Sequence, residues 1–181
     1  MTSEIETPRL LLQPLTEDDE EHFVKLFSDP RVTRYITLTE EPMPKEWAVA
    51  ALRRNLDAWE RYGYGPWSAI HKRTGRWIGK IDLIVHEDWP GDDKTEVGWE
   101  LDPAFWGQGL ATEGGTAAIR YGFTELDLPR IISVTTPDNV ASSRVMEKCG
   151  LRYQGRIRWR NADCVWYALD RVDWLAGIGR G

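Results

Sequence analysis

Residues Thr95 to Thr112 read TEVGWELDPAFWGQGLAT, and this stretch decides how the chain folds. Its first part, Glu96-Val97-Gly98-Trp99-Glu100-Leu101, alternates as a strand does. Val97, Trp99 and Leu101 share one face, while Glu96, Gly98 and Glu100 share the other. Asp102-Pro103 stops the strand, because proline cannot donate to a ladder and restricts the residue before it. Trp106-Gly107-Gln108-Gly109-Leu110-Ala111 then forms a glycine-bearing turn into a helix that starts near Thr112. A strand, a glycine turn and a helix N-terminus make an anion cradle. Glycine lets the backbone approach the anion, and open N–H groups with the helix dipole supply positive potential.

Three phosphate cradles compete for this stretch. A nucleoside-triphosphate loop requires Gly-Lys-Ser/Thr, which the chain lacks. A dinucleotide fingerprint requires a third glycine where Thr112 stands. The remaining candidate is the pyrophosphate loop of acyl-CoA-dependent N-acetyltransferases, and here the sequence resembles the GNAT superfamily. That family's loop is written Gln/Arg-x-x-Gly-x-Gly/Ala. Gly109 and Ala111 fill its last fixed places, and Trp106 departs from its first. The form Trp106-Gly-x-Gly-x-Ala-Thr-Glu113 resembles the branch that includes the ribosomal-protein N-terminal acetyltransferases. So do Thr7-x-Arg9-Leu10 and Asn139-x-x-Ser142-x-x-Val145-x-Glu147-Lys148-x-Gly150. For the loop alone, the alternative is an ordinary glycine turn before a helix.

Composition sets the outer limits. At 181 residues, the chain is expected to be one domain over 1–181, with a core over about 7–174. No stretch approaches the roughly 20 apolar residues of a membrane span, and no apolar run follows the N-terminus, so a cytoplasmic protein without membrane contact is expected. Cys149 and Cys164 belong to no Cys-x-x-Cys pattern, and His22, His71 and His86 are scattered, so no metal site is expected. A net charge of −6 argues against a nucleic-acid-binding face and is compatible with an amine substrate. Ten tryptophans are enough to line a ligand cleft as well as a core.

Along the chain, Thr7–Pro14 reads as a first strand. Thr16-x-x-Asp19 opens a helix carrying Phe23, Leu26 and Phe27, and Arg31–Ile36 follows as a short helical or irregular piece. After Pro42 and Pro44 comes a long helix with Trp47, Ala51, Leu52, Leu56 and Trp59 on one face, ended by Gly63 and Gly65. Trp67–Ile70, Trp77–Val85 and Glu96–Leu101 form a meander. The helix after the loop carries a small-residue stripe of Ala111, Gly115, Ala118, Gly122 and Leu126. Arg130–Thr136 is β-branched and suits a central strand. Asn139 N-caps the next helix, which ends at Gly150 in a Schellman pattern. Tyr153–Trp159 and Cys164–Leu169 form a hairpin through 160–163, and 170–181 is left as a tail. Periodicity alone gives a mixed α/β (α+β) domain. The resemblance implies the GNAT fold, a mostly antiparallel central sheet flanked by helices, with a splay between the fourth and fifth of these strands.

The resemblance also implies a chemistry. An acetyl-CoA-dependent N-acetyltransferase would move an acetyl group to a primary amine by direct attack in a ternary complex. The acceptor would be a peptide or protein N-terminus or a small amine, with no metal required and a homodimer left open. Backbone groups of Trp99, Glu100 and Leu101 would pair with the pantetheine. Trp106, Gly107, Gln108, Gly109, Leu110, Ala111 and Thr112 would cradle the pyrophosphate, and Asn139 and Ser142 would contact the coenzyme. Glu96 aligns with the glutamate that acts as base in some members, and Glu100 shares its strand face. Solvated strand residues, with a water chain carrying the proton, are the alternative. Many members place a tyrosine seven residues after the Asn to protonate the thiolate. Met146 stands there and cannot donate, which leaves Ser142, unless that serine only fits the helix start. Segments 32–64, 85–94 and 157–164 would set the acceptor. The competing function is an acyl-CoA-binding sensor or subunit without turnover.

Overall fold

The computed structural model describes residues 3–37 and 41–178. Its strands are β1 (Ile5–Glu6), β2 (Leu10–Pro14), β3 (Trp67–His71), β4 (Arg76–Val85), β5 (Thr95–Leu101), β6 (Arg130–Thr135), β7 (Arg152–Trp159) and β8 (Ala162–Asp170). Its helices are α1 (Glu20–Phe27), α2 (Pro30–Thr33), α3 (Lys45–Tyr62), α4 (Leu110–Thr124), α5 (Val140–Lys148) and α6 (Arg171–Ile178). The strands join in an eight-stranded sheet of order β1-β2-β3-β4-β5-β6-β8-β7. Every neighbouring pair is antiparallel except β5 and β6.

That parallel pair controls the architecture. β4 and β5 pair along their length, from Val85 opposite Thr95 to Gly79 opposite Leu101. β5 and β6 pair only where Glu96 faces Ile132. Side chains enter where ladder bonds would run. Ser133 Oγ donates to Val97 O at 2.9 Å, and Glu96 Oε1 accepts from Val134 N at 2.8 Å. Beyond them the strands part. This is the expected splay, between β5 and β6 once Ile5–Glu6 is counted as a strand.

Helix α4 covers one face of the sheet. Its small residues are required there, since a Cβ on Gly114 would lie 2.7 Å from Ile81 Cγ1. The core on this side joins Leu10, Ile81, Leu83, Val97, Ala118, Phe123 and Ile131. A second cluster over α1–α3 gathers Phe23, Leu26, Phe27, Val32, Ala48 and Leu52, with Trp77 packed against it. A third joins Trp89, Ile132 and Ala168 to Trp159 and Trp166. Helix α5 ends as read: Gly150 has φ 91°, Gly150 N donates to Glu147 O and Leu151 N to Met146 O, each at 3.0 Å.

Four expectations need correction. The strand expected over Thr7–Pro14 begins only at Leu10 and is preceded by the short β1, because Thr7 turns the chain by bonding Leu10 through both backbone and hydroxyl. Trp47 is 64% exposed, and the buried face of α3 is centred on Ala48 and Leu52. The last hairpin turns on two residues, Arg160 and Asn161, at φ 48° and 63°, so Ala162 and Asp163 already belong to β8. The tail contains a helix, α6. It is held from outside, by Arg171 donating to Phe123 O at 2.9 Å and Trp174 packing on Phe123, which no local pattern announces.

Candidate functional site

The glycine turn is fastened at both ends. The Trp106 indole N–H donates to Leu101 O at 2.7 Å, tying the loop to the end of β5. The residue that departs from the family pattern therefore has a structural task. Gly107 and Gly109 hold φ of 72° and 77°, values that side chains other than glycine resist. Glu113 N is taken by Gly109 O at 3.0 Å, so the N–H groups of Leu110, Ala111 and Thr112 have no helical acceptor.

Glu113 itself is a clamp that the sequence reading did not assign. It accepts from Thr7 Oγ1 at 2.6 Å, Arg9 N at 2.7 Å and Arg9 Nε at 2.6 Å. Arg9 continues to Gln108 O at 2.8 Å. Burial disfavours the Glu113 charge, but the bonds from Thr7 and Arg9 outweigh it and hold the carboxyl below the ordinary range. The Thr7-x-Arg9 pattern and the Thr-Glu after the loop thus form one device. The available signal was an acid in the first turn of a glycine-capped helix, with no local partner.

A cleft of about 620 Å³ passes beside this loop through the splay. It is lined by Trp106, Gly107, Gly109, Leu110, Ala111 and Thr112, with Asn139 and Ser142 at the start of α5. Trp99 and Leu101 of β5 also line it, as do Lys80, Asp82, His86, Glu96 and Glu100. Gln108 does not line it: its side chain donates to Ala104 O at 3.1 Å and its carbonyl faces Arg9. Asn139 Oδ1 accepts from Ser142 N at 3.2 Å and so opens α5. Among the described residues, the Ser142 hydroxyl makes no hydrogen bond. Met146 is 1% exposed, part of the core.

The carboxylates have neighbours that only strand register reveals. Lys80 lies opposite Glu100, Asp82 opposite Gly98 and Ile84 opposite Glu96. Lys80 is buried between Asp82 and Glu100, with Glu100 Oε2 at 2.8 Å. Burial alone would lower the Lys80 pKa, but the two carboxylates outweigh it and keep the ammonium charged. Burial pushes Glu100 up to about 7 against the pull of Lys80. Gly98 makes room for this arrangement, since a Cβ there would fall 2.3 Å from Asp82 Oδ1. Glu96 is engaged through both oxygens, by Val134 N and by His86 Nε2 at 2.5 Å. Lys80, Asp82 and His86 were not assigned from sequence. The first two leave a trace there, as polar residues inside an apolar strand.

Comparison with known proteins agrees with this fold. A family model described as "Acetyltransferase (GNAT) domain" matches residues 9–152. A Bacillus subtilis (strain 168) protein described as "Uncharacterized N-acetyltransferase YoaA" is 32% identical over 154 residues, covering 85% of each chain. The FsC-acetyl coenzyme A-N(2)-transacetylase of Aspergillus fumigatus is 32% identical over 191 residues, 94% of this chain and 77% of that protein. A GNAT-family acetyltransferase structure from Bacillus anthracis superposes with a TM-score of 0.77 at 30% identity, over 93% of this chain and 99% of the other.

Proposed function

The chain belongs to the GNAT acetyltransferase family, and from that premise we propose that it acetylates a primary amine, on a peptide N-terminus or a small molecule, by direct attack in a ternary complex. The observation that carries this reading is the cleft beside the splay, which the loop, Ser142, Glu96 and Glu100 all line. Acetyl-CoA supplies the activated acyl group. The open N–H groups of Leu110 to Thr112, backed by the α4 dipole, hold the pyrophosphate. The edge of β5 at Trp99–Leu101, open apart from the Leu101 carbonyl that Trp106 holds, takes the pantetheine as a strand would. Glu100, raised to about 7 by burial, accepts the proton of the amine, because a base works best with a pKa near the working pH. Glu96, held by Val134 N and in contact with His86 Nε2, orients the ammonium before it loses that proton. The Ser142 hydroxyl, at the start of α5, supports the departing thiolate.

The test is thiol release from acetyl-CoA across a panel of amines, using the parent and Ser142→Ala. Turnover is expected, with kcat of the variant lower by roughly 10- to 1000-fold and acetyl-CoA affinity nearly unchanged. Normal kcat in a folded Ser142→Ala protein removes this residue from the mechanism. Acetyl-CoA binding without thiol release from any amine supports the sensor reading instead.

A further inference from the structure

The turn between β7 and β8 meets the connection between β4 and β5 at Asp88 and at His86, which lines the cleft. Arg160 stands there at φ 48°. Its Nε donates to Asp88 Oδ2 at 2.8 Å and its Nη2 to Asp88 Oδ1 at 2.7 Å. Its guanidinium carbon lies 4.1 Å from the centre of the Trp159 ring. The same Nη2 stands 3.3 Å from His86 Nδ1. His86 meets the Trp159 ring edge-on at 4.8 Å, which fixes the plane of the imidazole, and its Nε2 lies 2.5 Å from Glu96 Oε2.

We propose that Arg160 is a positioning residue: by donating to Nδ1 of His86 it keeps the imidazole proton on Nε2, where that proton holds Glu96. A guanidinium has donors and no acceptor, so this approach requires the Nδ1 lone pair. A neutral ring then carries its hydrogen on Nε2 and donates it to the carboxylate. Glu96 is thereby held from two sides, by His86 and by Val134 N, with its remaining lone pairs turned to the cleft. With the other tautomer, the Nε2 lone pair would face a carboxylate oxygen, and Glu96 would turn away from both partners. The consequence for turnover rests on the proposed acetyl transfer. The tautomer does not.

The test uses Arg160→Asn, since asparagine tolerates the left-handed backbone but is too short to reach His86. Nitrogen-15 NMR of the His86 ring should show the Nε2–H tautomer in the parent and its loss in the variant. The variant should lose on the order of 10-fold in kcat/KM for the amine while acetyl-CoA still raises its melting temperature. In a His86→Gln background the same change should cost less than about 2-fold, because the glutamine amide brings its own donor to Glu96. Asp88→Asn, which loosens Arg160 without removing it, should shift both readouts in the same direction. An Nδ1–H tautomer in the parent overturns the proposal, and so do equal losses in both backgrounds. If no amine is turned over at all, acetyl transfer fails as a reading and the tautomer still decides this one.

Discussion

Glu100 carries opposing pH effects on stability and on catalysis. Its carboxyl is raised by burial from 4.5 to about 7. A group that binds its proton more tightly when folded contributes stability that is present below its unfolded pKa and lost as pH rises through its folded one. That contribution should therefore be complete below about 4.5 and gone above about 7. A base must be ionised to act, so kcat/KM should rise through the same interval. Glu100→Gln should flatten the stability change and remove the ascending limb near 7. An unchanged pH–rate profile in that variant, measured beside its melting temperature, would exclude Glu100 as the base. The alternation Glu96-x-Gly98-x-Glu100 placed these side chains on one face correctly. Alternation has no information about which residues of β4 lie opposite. Register decides that Lys80 meets Glu100 and that Asp82 meets a glycine.

Among the elements, α4 and its loop were the most legible, because caps and glycine turns are local chemistry. What fastens them is not local. Thr7 and Arg9 lie more than a hundred residues before Glu113, at separations of 106 and 104. Glu113→Ala should leave Thr7 Oγ1 with Leu10 O as its remaining acceptor and return Arg9 N, at an exposed position, to water, costing about 1 kcal/mol. The half-exposed Arg9 charge adds little of this, since solvent screens it. The Gln108 carbonyl would lose its fixed Arg9 donor, so the acetyl-CoA dissociation constant should rise on the order of 10-fold. Calorimetric titration beside a melting curve tests this, and a lower melting temperature with unaltered affinity would make the clamp purely structural. The misread elements fail for related reasons. Trp47 matches the helical period of α3 but lies one step off its buried stripe. Helix α6 depends on Phe123 and Asp127 from another part of the chain.

At the scale of the molecule, the sheet is interrupted beside the cleft in which acetyl transfer is proposed. Sequence alone supported only mixed α/β; the topology came from resemblance, because the side chains that part β5 from β6 cannot be told from ordinary strand residues. Glu96 and Ser133 close one end of the gap, and past them the β6-facing backbone from Trp99 on has no strand partner, with only Leu101 O taken, by the Trp106 indole. An eight-stranded sheet gains nothing from such an open edge unless something else fills it. If the pantetheine fills it, acetyl-CoA should raise the melting temperature by mass action, and ATP or NAD at equal concentration should do much less. The location of the effect is the sharper test. Hydrogen exchange should slow at β5 amides facing β6 and at Leu110–Thr112, where the helix leaves its donors open. Amides of β4 opposite β5, already paired from Val85 to Gly79, should change little. Protection spread evenly over the molecule would mean general tightening by a ligand bound elsewhere. Protection confined to the loop would leave the splay without a ligand and place the pantetheine outside the sheet.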